Sequence, residues 1–161
     1  MKVRIIIQAR MGSSRLRGKS LMPVAGIPLL VRVMRVAKSI TFANEIMVAT
    51  TDLPEDEPIV SVAKDNGVLI YRGSATNVLE RYYNASADLN EKDIIIRLTA
   101  DNPLNFLDIT SAAFNEFLTN GFDYLCIDGL SHVVPEFIRV RALRDTYESR
   151  QTTLAWRYIC A

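Results

Sequence analysis

Lys2-Val3-Arg4-Ile5-Ile6-Ile7-Gln8 runs directly into Ala9-Arg10-Met11-Gly12-Ser13-Ser14-Arg15-Leu16-Arg17-Gly18-Lys19-Ser20, and that junction decides the fold. The first seven residues are almost continuously apolar and β-branched, which suits a strand buried on both faces. The next twelve carry two glycines, three serines and four cations, with no acid from Arg10 to Lys19. In an open α/β sheet, ligands bind in the crevice beyond the carboxyl ends of the strands. A buried first strand that ends in such a loop is therefore the opening of an α/β domain.

Working outward, further short apolar runs recur at Glu45–Thr50, Val68–Tyr71 and Asp93–Thr99, with a more mixed one at Phe122–Ile127. Helical patterns fill the gaps. Pro28 stands at a favourable first position, and Leu29, Leu30, Val33, Met34, Ala37 and Ile40 follow at helix-face spacing. Glu55–Asn66 begins with acids and closes on Gly67, Asn77 caps a third helix, and Asp108 caps a fourth. Arg141–Arg150 reads as a polar surface helix. Strand and helix in alternation, with right-handed crossovers, give a three-layer α/β sandwich with a mostly parallel, Rossmann-like sheet. With no repeat, low-complexity stretch or linker in 161 residues, one domain is expected over 1–161.

Composition removes several classes of function. The chain is 49% apolar and 23% charged, which excludes disorder. Its 19 basic and 18 acidic residues nearly cancel, so no global field favours nucleic acid or an anionic membrane. No apolar run approaches a membrane span and the first is too brief for a signal peptide, so a cytoplasmic protein is expected. Cys126 and Cys160 read as core thiols rather than a disulfide. His132 is the only histidine, which rules out His-rich metal sites and leaves any Ser-His-Asp device dependent on one residue.

Two loops remain as candidates for chemistry. In the first, Gly12 and Gly18 permit close backbone approach, and successive N–H groups with Ser13 and Ser14 can cradle phosphate oxygens. Arg10, Arg15 and Lys19 add charge-assisted bonds. A Walker A loop is excluded, because five residues separate Gly12 from Gly18 where the motif needs four. Two prolines and a glycine after Lys19 also argue for a hairpin-like segment rather than a helix. In the second loop, Thr99-Ala100-Asp101-Asn102-Pro103-Leu104, Asp101 offers the hard oxygen ligand that Mg²⁺ prefers; an Asx turn ahead of Pro103 is the bland alternative. If the first and fourth strands are neighbours, both loops face one crevice. A third patch, Arg72-Gly73-Ser74, could read a base or ribose through backbone groups, with Arg81 one turn into the following helix.

Ile6–Leu21 resembles the opening of the cytidylyltransferase family typified by spore coat polysaccharide biosynthesis protein F, a relative of the synthetases of CMP-activated acidic sugars. Val48–Asp52, Arg72–Ser74, Val78–Tyr83 and Arg97–Leu104 match it in the same order. The resemblance implies a nucleotide-diphospho-sugar transferase fold and a Mg²⁺-dependent reaction. In it, a sugar hydroxyl attacks the α-phosphate of CTP and pyrophosphate leaves, in the service of surface polysaccharide synthesis. Carried over by position, Arg10, Ser13, Arg15 and Lys19 hold the triphosphate, and Gly12 and Ser14 belong to the same loop. Ala9, Gly73, Ser74 and Arg81 line the cytidine site, and Asp101 binds Mg²⁺.

The chain departs from the family pattern in three places. Arg17 stands where a Pro usually precedes Gly18. In Ser131–Glu136, Val134 stands in place of an Asp, so a second metal carboxylate is left open between Glu136, Asp128 and none. The relatives continue further, which makes the acceptor half look curtailed. The partners implied are CTP and a sugar, with no nucleic acid and no membrane, and an apolar edge near Val133–Ile138 would suit a homodimer. The alternatives are a non-catalytic nucleotide-binding domain and a glycosyltransferase that uses a ready-made nucleotide sugar.

Overall fold

The computed structural model describes residues 1–13 and 16–149. Among these residues eight strands and five α-helices follow one another. They are β1 (Val3–Gln8), β2 (Pro23–Val24), β3 (Ile27–Pro28), α1 (Leu29–Ser39), β4 (Glu45–Thr51), α2 (Glu57–Asp65), β5 (Leu69–Gly73), α3 (Val78–Ala85), β6 (Ile94–Thr99), α4 (Leu107–Thr119), β7 (Tyr124–Leu125), β8 (Glu136–Arg139) and α5 (Val140–Glu148). Six strands form one sheet in the order β5-β4-β1-β6-β8-β7. The pairs β5–β4, β4–β1 and β1–β6 are parallel, while β8 runs antiparallel to both β6 and β7.

The pleat of β1 explains the three layers. Val3, Ile5 and Ile7 join one core with Leu30, Val33 and Met34 of α1, Ile59 of α2, and Phe114 and Phe117 of α4. Ile6, on the other face, joins Leu79 and Tyr82 of α3 and Leu143 of α5. Successive side chains on a strand point to opposite faces, so a run of three isoleucines feeds both cores at once. Phe114 stacks on Phe42 with centroids 4.2 Å apart and meets Phe137 of β8 at 5.6 Å.

Arg4 interrupts this apolar strand. Its buried guanidinium pairs with Glu45 of β4 and, at 2.7 Å, with Asp88, and it donates to the carbonyl of Ala85 at the end of α3. A strand buried among neighbours can hold a charge when the charge is both paired and hydrogen-bonded. This staple fixes α3 against β1 and β4.

Several expectations are met. The sheet is mostly parallel, Asn77 Oδ1 accepts from the Glu80 N–H at 3.0 Å as a helix cap, and the segment after Lys19 is a hairpin. Its turn residues Ala25 and Gly26 both have positive φ, 48° and 75°, as a two-residue hairpin with matched twist requires.

Others need correction. Phe122–Ile127 is a strand only at Tyr124–Leu125, and Glu136–Arg139 is a strand that its mixed charge pattern conceals. Asp108 lies in the first turn of α4 and makes no cap; Phe106 precedes the helix. α5 is not polar throughout, because Val140 and Leu143 are buried and Tyr147 stacks on Tyr83 at 4.2 Å. Val133–Ile138 is no exposed edge either. Val134, Phe137 and Ile138 are at most 2% exposed, since β8 is inserted between β6 and β7, so this stretch offers no dimer face. Cys126 is an exposed free thiol rather than a core one, and Cys160 lies outside the described residues. Among the described residues no helix is long and apolar enough to cross a membrane.

Candidate functional site

The chain order reverses between β1 and β6: β4 and β5 are laid down to one side of β1, and β6 to the other. This is the switch point at which an open α/β sheet leaves a crevice. A cavity of about 310 Å³ lies there, at the ends of both strands, and its lining includes Gln8, Arg10, Ser13 and Lys19 from one side and Thr99, Asp101 and Asn105 from the other.

The loop after β1 is held by its own backbone. The carbonyl of Met11 accepts from the N–H of Ser13 at 2.9 Å and from that of Gly18 at 2.8 Å, which draws the two limbs together. Gly18 adopts φ 74°, a conformation that glycine takes without steric cost. Lys19 follows in a short 3-10 turn, Lys19–Leu21, and the Ser20 hydroxyl donates to the Arg10 carbonyl at 3.2 Å. Lys19 Nζ then reaches across the crevice to Asp101 Oδ2 at 2.8 Å, with both side chains 39% exposed. Partial burial pushes the Asp101 carboxyl up, but the Lys19 ammonium and a hydrogen bond from Thr99 hold it below the ordinary carboxylate range. The two loops read from the sequence thus meet.

The structure brings Arg10, Ser13, Lys19 and Asp101 to one cavity, while Ala9, Gly12, Gly73, Ser74 and Arg81 lie outside its lining. Ser14 and Arg15 lie outside the described residues. Ala9 is buried, its N–H donating to Ala49. Gly73 ends β5 and Ser74 follows it, separated from β1 by β4, which puts them about 10 Å to the side at the usual strand spacing. Arg81 is fully buried, and its Nη1 donates to the Ser74 carbonyl at 2.6 Å. It therefore props the Ser74 loop from beneath.

Of the far wall, the sequence singled out Glu136 as a possible second metal carboxylate but gave no sign of its partners. Arg97 and Glu136 are cross-strand partners in register and form an ion pair, and the Tyr124 hydroxyl donates to Glu136 Oε2 at 3.1 Å. Burial pushes the Glu136 carboxyl above its usual value, against Arg97 and Tyr124, which hold it down. Burial and the adjoining Glu136 likewise raise the Tyr124 hydroxyl well above its ordinary pKa. His132 and Ser131 also line the cavity. Only tertiary placement brings Arg97, Tyr124 and Glu136 together, because they come from three different strands.

The donor set at the cavity suits a shared Mg²⁺ rather than a self-sufficient metal cage. Among the described residues no cluster of three or more His, Cys, Asp or Glu could hold a metal. Asp101 presents one carboxylate, and close by in the lining the Gln8 Oε1 is buried without a hydrogen-bond partner. Mg²⁺ typically takes one or two carboxylates and fills the rest with substrate phosphates and water, so these oxygens fit the ion. Glu136 also lines the cavity but is already engaged by Arg97 and Tyr124, whereas Asp128 is not part of the lining.

A family model described as cytidylyltransferase matches residues 4–154. The chain belongs to the cytidylyltransferase family. This cytidylyltransferase chain is 39% identical over 164 residues to an uncharacterized protein of Methanocaldococcus jannaschii, covering 99% of the chain and 67% of that protein. It is 30% identical over 161 residues to spore coat polysaccharide biosynthesis protein SpsF of Bacillus subtilis, covering 91% of the chain and 67% of SpsF. Among solved structures, a cytidylyltransferase from Leptospira borgpetersenii superposes with a TM-score of 0.85 at 32% identity, over 98% of this chain and 67% of that one. The cytidylyltransferase chain is thus a nucleotidyltransferase in class and fold, and it spans about two thirds of the length of these relatives.

Proposed function

We propose that the chain carries the nucleotide site of a Mg²⁺-dependent cytidylyltransferase that transfers CMP from CTP to a sugar, with an acidic sugar as the expected acceptor. The observation that supports this best is the 2.8 Å contact between Lys19 and Asp101, which places a phosphate-seeking cation and a metal-seeking carboxylate on facing loops of one crevice. A CTP laid along the carboxyl ends of the strands would put its triphosphate against Arg10, Ser13 and Lys19. Its base would then lie toward Gly73 and Ser74, beyond β4.

In the reaction, the sugar hydroxyl oxygen forms a bond to the α-phosphorus and the α–β bridging P–O bond breaks. Pyrophosphate leaves with the electron pair, and the hydroxyl proton passes to solvent. Bound Mg²⁺ would neutralise developing phosphate charge, held by Asp101 with Gln8 nearby. The chain's residues do what such phosphoryl chemistry asks of a protein, which is to position reactants and offset charge. Arg10 and Lys19 would grip the leaving pyrophosphate. SpsF, by its name a spore coat polysaccharide biosynthesis protein, supports a role in surface polysaccharide synthesis, and 3-deoxy-manno-octulosonate cytidylyltransferases among the relatives support an acidic acceptor.

A second reading, a non-catalytic nucleotide-binding domain, is favoured by one observation: Glu136 is engaged by Arg97 and the Val134 side chain offers no oxygen, leaving Asp101, itself paired with Lys19, as the other carboxylate of the cavity. One experiment separates the two. CTP, Mg²⁺ and a panel of acidic sugars are incubated with the chain and pyrophosphate is measured. Release that falls at least a hundredfold in Asp101→Asn supports the transferase. CTP binding with no release for any sugar supports the non-catalytic domain.

A further inference from the structure

The structure assigns a positioning role to Asp56: its buried carboxylate fixes the geometry of the loop that presents Ser13 and Lys19 to phosphate. The inference rests on the reading of that loop as a phosphate site.

Asp56 closes a 3-10 turn, Pro54–Asp56, that enters α2, and it is 1% exposed. Among the described residues no Lys, Arg or His forms an ion pair with it. Four hydrogen bonds take the place of a counterion. Oδ2 accepts from the Thr50 hydroxyl at 3.0 Å and from both the N–H and the hydroxyl of Thr51, at the end of β4. Oδ1 accepts from the Met11 N–H at 2.7 Å. Met11 is the residue whose carbonyl gathers the N–H groups of Ser13 and Gly18. One residue thus ties the two limbs of the loop together through its carbonyl, and Asp56 ties the same residue to the sheet through its N–H.

The sign of the charge makes the case. A carboxylate behind an anion site opposes anion binding, so electrostatics alone would favour its removal. A carboxylate is nonetheless the side chain that can accept through both of its oxygens. An amide has one accepting oxygen, and its NH₂ would face either the Met11 or the Thr51 N–H. Leaving a buried donor without an acceptor is costly, so the loop would shift to water. The same turn grips the loop a second time. Glu55 Oε2 pairs with Arg17 at 2.9 Å, and its Oε1 would lie 2.8 Å from any Cβ placed on Gly12. A side chain at Gly12 would have to push the Glu55 carboxylate aside.

The test is titration calorimetry of CTP and of CMP, with Mg²⁺, on wild type and Asp56→Asn, with thermal melts alongside. A loop that has lost its anchor should weaken CTP at least tenfold and CMP less than threefold, because the β- and γ-phosphates depend on it most. CTP binding that is unchanged or tighter in Asp56→Asn overturns the inference, as does an equal loss for both nucleotides. If Asp56→Asn does not fold, Thr51→Val, which removes one hydroxyl donor from the same carboxylate, should shift the CTP-to-CMP ratio several-fold in the same direction. An unmoved ratio overturns the role. A wild-type chain that binds CTP no better than CMP overturns the phosphate reading of the loop itself, and Asp56's role with it.

Discussion

Lys19→Met is the perturbation whose size the structure sets most directly. The lysine plays two parts, as partner of Asp101 in the free chain and as proposed ligand of the triphosphate. At 2.8 Å but with both side chains 39% exposed, the ion pair is largely screened, and breaking it should cost at most about 1 kcal/mol of stability. A charge-assisted hydrogen bond to phosphate contributes about 1.5–3 kcal/mol, or roughly ten- to hundredfold in affinity. The substitution should therefore weaken CTP by that factor while leaving the melting transition nearly in place. Asp101 should respond as well: without the ammonium, burial is left as the main influence and its carboxyl pKa rises. In the wild type that pKa is depressed, so the charged pair persists above the ordinary carboxylate pKa and is lost as pH falls through the depressed value. Calorimetry with CTP and Mg²⁺, paired with thermal melts, measures both effects. CTP affinity within twofold of wild type would refute the reasoning, and a stability loss above about 2 kcal/mol would make the pair a structural one.

Two other predictions concern the scaffold. Arg4 donates to Asp88 and holds its carboxyl at about 2. The stability this lends is present above the ordinary Asp value and lost as pH falls toward 2; Asp88 is 63% exposed, so it amounts to at most about 1 kcal/mol. Asp88→Asn should flatten acid unfolding between pH 4 and 2 as followed by circular dichroism, and superimposable acid curves would exclude the staple. Asn77→Ala removes the cap from α3 and should cost about 1 kcal/mol in denaturant unfolding, with no loss if the Glu80 N–H finds another acceptor.

What could be read ahead of the fold was whatever has a local cause. The isoleucine runs of β1 and β6 declare themselves because a strand covered on both faces must be apolar throughout. The hairpin after Lys19 declares itself through Pro23, Gly26 and Pro28, and the two site loops through residue types that ordinary loops seldom concentrate. The order of β1 and β6 as neighbours followed from the rules of α/β topology. Asp56 gave a local signal, an acid beside a helix start, but the signal pointed to the helix dipole and not to Met11, 45 residues away.

The sequence by itself determined the sheet's central strands, the layer architecture and the residues proposed for phosphate and metal chemistry, because periodicity, turn chemistry and charge are properties of neighbours along the chain. Tertiary structure alone decided that Lys19 meets Asp101 across 82 residues, that Arg81 holds the Ser74 carbonyl outside the cavity's lining, and that Glu136–Arg139 is a strand. β8 owes its existence to pairing with β6 and to Phe137 packing against Phe114 and Phe117, and such contacts arise only when distant segments are brought together.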